Sequence, residues 1–157
     1  MYHAIVKRIL QNGYRQISRA DFEPLLAQFS PEIHFSFSGQ HALGGDFHRR
    51  ETVRQWFERV HRLFPDLEIR ARQMVVSGMP WNTWVAAQFE IRATLPDGSA
   101  YRNHGTQFVR IVWGKVVEDY LIEDNQILLE TLRCLSEQGV KEAHAAPLSD
   151  LSAKSVL

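Results

Sequence analysis

The chain opens on a helical pattern. Tyr2, Ile5, Val6, Ile9 and Leu10 recur at three- and four-residue intervals, one stripe of an amphipathic helix. Asn12-Gly13 predicts its end, because glycine enters the left-handed conformation without a Cβ clash. A second stripe follows in Phe22, Leu25, Leu26 and Phe29, and Pro24 decides where that helix begins. With Ser18 as cap, Pro24 would remove an internal hydrogen bond. With Asp21 as cap it falls in the first turn, where a missing N–H costs little. Asp21 is the preferred start, and Ser30-Pro31 the expected end.

The period then changes. Ile33, Phe35 and Phe37 alternate with His34, Ser36 and Ser38, a strand with its odd residues inward. Residues 39–49 read as a loop containing Gly44-Gly45. Val53, Trp56, Phe57, Val60, Leu63 and Phe64 form a strong helical stripe ended by Pro65. The rest is mostly sheet. Leu67 to Ser77 is one strand, and Val85, Ala87, Phe89, Ile91 and Ala93 mark the apolar side of the next. Leu95-Pro96-Asp97-Gly98 is a hairpin turn, Tyr101 to Val112 returns, Trp113-Gly114 turns again, and Lys115 to Glu123 is the last strand. Asp124 can cap a closing helix that buries Ile127, Leu128, Leu132 and Leu135 and stops at Gly139. One domain is therefore expected over 1–139, followed by a loose Ala- and Ser-rich tail over 140–157.

This order is an α+β domain with an antiparallel meander. Three helices carry apolar stripes that need a sheet face to cover. A curved sheet closed over by helices makes a cone with a cavity, a place for a small ligand. Composition narrows the partners. The 157 residues carry 18 Lys+Arg against 18 Asp+Glu, so no net charge draws the chain to nucleic acid or an anionic membrane. No apolar run approaches the roughly 18 residues of a membrane span, and MYHAIVKR has no apolar signal region. A single cysteine, Cys134, excludes an internal disulfide or a multi-Cys zinc site and suits the cytoplasm.

Several strings resemble the cone-shaped nuclear-transport-factor-2-like superfamily, nearest its SnoaL-like branch, which includes polyketide cyclases and is related to ketosteroid isomerase. They are Ala20-Asp21-Phe22-Glu23, Phe35-Ser36-Phe37, Trp56-Phe57, Gly98, Gly114-Lys115-Val116 and Asp124, spread over roughly residues 2–138. The resemblance implies a cystatin-like α+β roll: a curved antiparallel sheet wrapped by three helices, with a further C-terminal helix. It implies no single activity, since such folds host isomerases, cyclases, dehydratases, epoxide hydrolases and binders. The isomerase-like base position is matched by Phe37, and the epoxide-hydrolase-like positions by Ala87, Phe89 and Leu121. None of these can move a proton.

Strand register selects the remaining candidates. A four-residue turn after Leu95 would pair Ile91 with His104 and Phe89 with Thr106, and a two-residue turn at Trp113-Gly114 would pair Phe108 with Asp119. His104, Thr106, Phe108 and Arg110 then share the inner face with Val117, Asp119, Leu121 and Glu123. His104 beside Asp119 is the expected acid–base pair, because a carboxylate fixes the imidazole tautomer and raises its pKa. The resemblance adds Tyr14 as an oxyanion donor. Phe35, Phe37, Trp56, Phe89, Phe108 and Leu121 are the expected ligand wall; Phe57 and Trp81 could add to its aromatic side, while Trp84, on the even face of its strand, would lie outside. His41, Asp46 and His48 are metal-ligand types, but their spacing matches no metal motif, so no metal is expected and the loop reads as a cover. Arg50, Arg54 and Arg59 alternate with Glu51 and Glu58, a solvated face. Trp84, Ala86, Gln88, Tyr101, Val109, Ile111 and Tyr120 make the outer face apolar enough to predict a homodimer. The expected function is binding of a small apolar molecule, with cofactor-free isomerisation, cyclisation or dehydration; the alternative is a binding or dimerisation module without catalysis.

Overall fold

The computed structural model describes residues 1–151. The helices are α1 (Tyr2–Ser18), α2 (Phe22–Leu26), α3 (Arg50–Leu63) and α4 (Asn125–Glu137). The strands are β1 (Phe29–Phe37), β2 (Gly45–Phe47), β3 (Glu68–Met79), β4 (Asn82–Thr94), β5 (Ala100–Val112) and β6 (Lys115–Glu123). They form one six-stranded sheet in the order β2-β1-β6-β5-β4-β3. The sheet is curved and unclosed, and the helices pack on its concave face, as the α+β cone requires. Neighbouring strands run antiparallel except β1 and β6, which are parallel.

Helix α1 does not stop at Asn12-Gly13. Gly13 and Tyr14 continue the buried face begun by Val6, and a Cβ on Gly13 would lie 3.3 Å from Leu25 Cδ1. Glycine here lets α2 approach, at a helix cost of about 0.5–1 kcal/mol. Tyr14 is therefore a helical residue aimed inward, and the chain leaves α1 later, through Ala20 at φ 55°. Asp21 does stand at the start of α2, but the helix is only one turn long. Strand β1 begins at Phe29, and Pro31 lies where its pairing with β6 is interrupted, so no ladder bond needs its N–H. The loop 39–49 also contains β2, paired with the end of β1.

In the meander the register departs by one residue from the expected one. In β4 the odd residues face the helices, with Val85, Ala87, Phe89 and Ile91 buried. The hairpin after Leu95 closes one residue earlier than expected: Leu95 N–H donates to the Ser99 carbonyl, so Leu95 stands opposite Ser99 rather than Ala100, and Thr94 pairs with Ala100. Ile91 therefore pairs with Asn103, Phe89 with Gly105 and Glu90 with His104. A shift of one residue turns every β5 side chain to the other face. Tyr101, Asn103, Gln107, Val109 and Ile111 are inside, while His104 and Phe108 are exposed. A register shift at Arg110/Ile111 against β6 compensates, so Asp119 pairs with Val109 and still faces inward. Trp113 and Gly114 take φ 48° and 78° in the β5–β6 turn, as a tight two-residue turn demands.

Asp124 caps α4, its Oδ1 accepting from Gln126 N–H at 3.0 Å and Ile127 N–H at 3.3 Å. Beyond it, Lys141–His144 form a 3-10 turn with Ala143 buried. Glu142 bridges Arg59 and Arg62 of α3. Asp150 accepts from His48 N–H and from Thr52 Oγ1–H at the start of α3. Residues 140–150 of the expected tail thus pack on the domain, and 152–157 lie outside the described residues.

Candidate functional site

Between sheet and helices lies an apolar cavity of about 910 Å³, within the range of small-molecule sites. Phe35, Phe37, Trp56, Phe89 and Leu121 line it, as expected. Phe108 does not; it is half exposed on the opposite side of the sheet. Trp81 and Trp84 are also on the outside, Trp81 against Trp113 in the neighbouring turn. Ile5 and Ile9 of α1 line the cavity while partly exposed, and they mark its mouth beside Pro80 and Gly114.

The expected His104–Asp119 pair does not form, because the one-residue register shift between β4 and β5 places His104 outward while Asp119 stays inside. Asp119 instead meets Gln107 and Tyr14. Gln107 Nε2 donates to both carboxylate oxygens, at 2.8 and 3.0 Å. Its Oε1 accepts the Tyr14 hydroxyl at 2.6 Å. Three elements thus converge: Tyr14 from the prolonged α1, Gln107 from β5 and Asp119 from β6. Tyr14 packs against Phe89 as well. Its hydroxyl proton is already engaged by Gln107, so in this state it aims the amide at the carboxylate.

Asp119 is buried with no cationic partner among the hydrogen bonds and ion pairs of the described residues. Burial pushes its carboxyl up to about 7, and the Gln107 hydrogen bonds only partly oppose that rise. Burial, then the nearby Asp119 charge, holds the Tyr14 phenol well above its ordinary value. A carboxyl poised near neutrality in an apolar hollow can both take and return a proton.

A second carboxyl, the half-buried Glu123, lies four residues further along β6, about 13 Å away by strand rise. Glu123 Oε2 accepts from Tyr101 Oη–H and Asn103 Nδ2–H, each at 3.2 Å. Burial raises it too to about 7, against those two bonds. Tyr101 stacks on Phe64 at 4.7 Å between centroids, and Asn103 also donates to the Asp124 carbonyl. Glu123 is thus tied to the start of α4, whereas Asp119 lies nearer the mouth.

Sequence reasoning missed Gln107 and Asn103, yet a signal was present. In β5 the charged and ionisable side chains Arg102, His104 and Arg110 all occupy even positions, which argues that the even face meets solvent.

His41 is buried in the cover loop. Its Nδ1 accepts Leu43 N–H at 3.2 Å and its Nε2 faces Asn125 Oδ1 at 3.1 Å, so the ring fixes the loop rather than reaching the cavity. Trp56 Nε1–H donates to the Leu43 carbonyl and ties the same loop to α3.

Residues 10–119 match the family described as the SnoaL-like domain. No relative was found among curated protein sequences. Solved structures share the fold at low identity. AclR from Streptomyces galilaeus is 21% identical with a TM-score of 0.66, covering 85% of this chain and 97% of its own. IdmH from Streptomyces antibioticus is 22% identical with a TM-score of 0.64, covering 76% and 92%. PrhC from Penicillium brasilianum is 15% identical with a TM-score of 0.72, covering 87% and 91%. With the family match spanning most of the chain and the cone architecture in place, this protein belongs to the SnoaL-like family of the nuclear-transport-factor-2-like superfamily.

Proposed function

We propose that this protein binds a small, largely apolar molecule in the cone and moves a proton on it through Asp119, without a cofactor, in an isomerisation, cyclisation or dehydration. The observation that carries this reading is a buried carboxyl, Asp119, with no cationic partner on a largely apolar wall, held in place by Gln107 and Tyr14. IdmH carries the description of a polyketide cyclase, which favours a substrate with acidic C–H groups beside carbonyls. Asp119 is then the base and returning acid, Gln107 and Tyr14 are positioning residues, and His104 has no part.

The test uses a panel of aromatic ketones and cyclic enones, selected by thermal shift. Proton nuclear magnetic resonance in deuterated water follows exchange at the carbon next to the carbonyl of each bound compound. Wild type and His104→Ala should exchange it at equal rates. Asp119→Asn should be slower by about 10²–10⁴-fold, the contribution typical of a positioned acid–base group. Binding without exchange in the wild type would favour the non-catalytic module.

Self-association belongs to the same reading. The outer sheet face exposes Trp84, Phe108 and Ile122, and Arg110 lies over the Trp84 ring. Sedimentation at micromolar concentration should show a dimer for the wild type and a monomer for Phe108→Asp. A monomeric wild type would remove the proposal. Among the described residues, no helix is long and apolar enough to cross a membrane; with one cysteine, a reducing cytoplasm is the proposed setting.

A further inference from the structure

On the outside of the sheet, opposite the cavity, β1 and β2 gather three ligand-type side chains. Phe35 pairs with Phe47 and Ser36 with Asp46. Because Phe35, Phe37 and Phe47 point into the core, His34, Asp46 and His48 project together from the other face. Asp46 Oδ1 lies 2.7 Å from His34 Nε2 and 3.3 Å from His48 Nε2. One donor atom from each of the three falls within 4.8 Å of the other two. The two imidazoles stack at 4.3 Å between centroids.

We propose that His34, Asp46 and His48 bind a divalent transition ion of the zinc class, with a water completing the coordination. Two imidazole nitrogens and a carboxylate oxygen are a donor set that zinc accepts. With zinc–ligand bonds of about 2.0–2.1 Å, tetrahedral ligands stand about 3.3 Å apart, a spacing the present atoms reach by small side-chain rotations. His34 and Asp46 sit on paired strands and His48 directly follows β2, its N–H held by Asp150, so the backbone sets their positions without the metal.

The groups around His34 support a cation. Its Nδ1 lies 3.2 Å from the Tyr120 hydroxyl, and Tyr120 also reaches Glu118 Oε2 at 3.3 Å. Arg110 holds the other Glu118 oxygen at 3.0 Å. When Tyr120 gives its one proton to Glu118, His34 must donate through Nδ1. Its Nε2 then turns a bare lone pair towards the Asp46 carboxylate, and only a second proton or a metal ion can lie between them. This is the outer-shell arrangement that orients a ligating imidazole.

The reading of the sequence counted His41 with Asp46 and His48. His41 is turned away, and His34, from the strand, is the third member. The ion would join β1 to β2 and to His48, whose N–H is held by Asp150 beside the start of α3. Its role is a staple, separate from the cavity.

Titration of the full chain with Zn²⁺ against a chromophoric chelator tests this. The wild type should take up one equivalent in the micromolar range or tighter, with a raised melting temperature. His34→Ala and His48→Ala should each bind at least about tenfold more weakly and lose the zinc-dependent shift in melting. Tyr120→Phe should weaken binding by about tenfold, the scale of outer-shell losses. The exposure of His48 means that its variant keeps the fold, which circular dichroism verifies. His61→Ala should bind as the wild type does. No stoichiometric uptake, or equal uptake by the His34 and His48 variants, would overturn the proposal. Loss of proton transfer at Asp119 would leave it standing, since the two sites occupy opposite faces.

Discussion

Asp119→Asn should be more stable than the wild type at pH 8 by roughly 3–4 kcal/mol, and no more stable at pH 3. The carboxyl ionises near 3.9 in the unfolded chain but at about 7 when buried. Between those values the folded protein holds a proton that the unfolded chain has released. Stability therefore falls as pH rises from about 4 to about 7 and is level above that. Three pH units at about 1.36 kcal/mol each give the size of the effect. Asparagine keeps the shape and still accepts from Gln107 Nε2, but carries no charge to desolvate. Glu123 adds a fall of the same sign in both proteins. Urea melts at several pH values read the difference; parallel curves for the two proteins across pH 4–8 would refute it. Variants that gain stability and lose turnover are expected where a site is kept strained for chemistry.

Phe35→Ala should lose about 3–5 kcal/mol, the cost of emptying an aromatic site in a packed core. Phe35 is fully buried, with Phe47, Trp56 and Phe57 around it at 6.0, 4.9 and 6.2 Å between centroids. It is also cavity wall, so its removal widens the hollow where no neighbour can collapse inward. In a domain of this size the melting temperature should drop by roughly 10 °C. An unchanged denaturant slope would confirm that only the native state was weakened. A loss below about 1 kcal/mol would mean that the aromatic cluster is loosely packed.

The parts of this protein that were legible in its sequence are those with a strong period and one buried face. The stripe of α3 and the alternation of β4 fixed their own orientation, because turning either around would expose a continuous apolar row. Strand β5 was not legible in the same way. Both its faces mix polar and apolar residues, so its register depended on turn length, and the turn sets Leu95 opposite Ser99 rather than Ala100. That one-residue shift moved His104 out and Gln107 in. Asp119 was placed correctly only because the register shift near Ile111 offset the turn error. Tyr14 was found for a reason the structure changes: it is not at a helix end but within α1, continued past Gly13 by close packing with α2. Asp150 and His34 acquire partners only through tertiary contacts, which no local pattern encodes.

The parallel pairing of β1 with β6 has a consequence for synthesis on the ribosome. Strands β1 and β2 are made early, yet their tie to the other strands runs through β6. Until residues 115–123 emerge, the first half of the chain can form its helices and a two-stranded ribbon, but it has no sheet to join. Such distant pairing is slow to nucleate, so for most of its translation the nascent protein presents Phe29, Phe35 and Phe37 without their β6 partners. Those residues are where a chaperone would be expected to hold it.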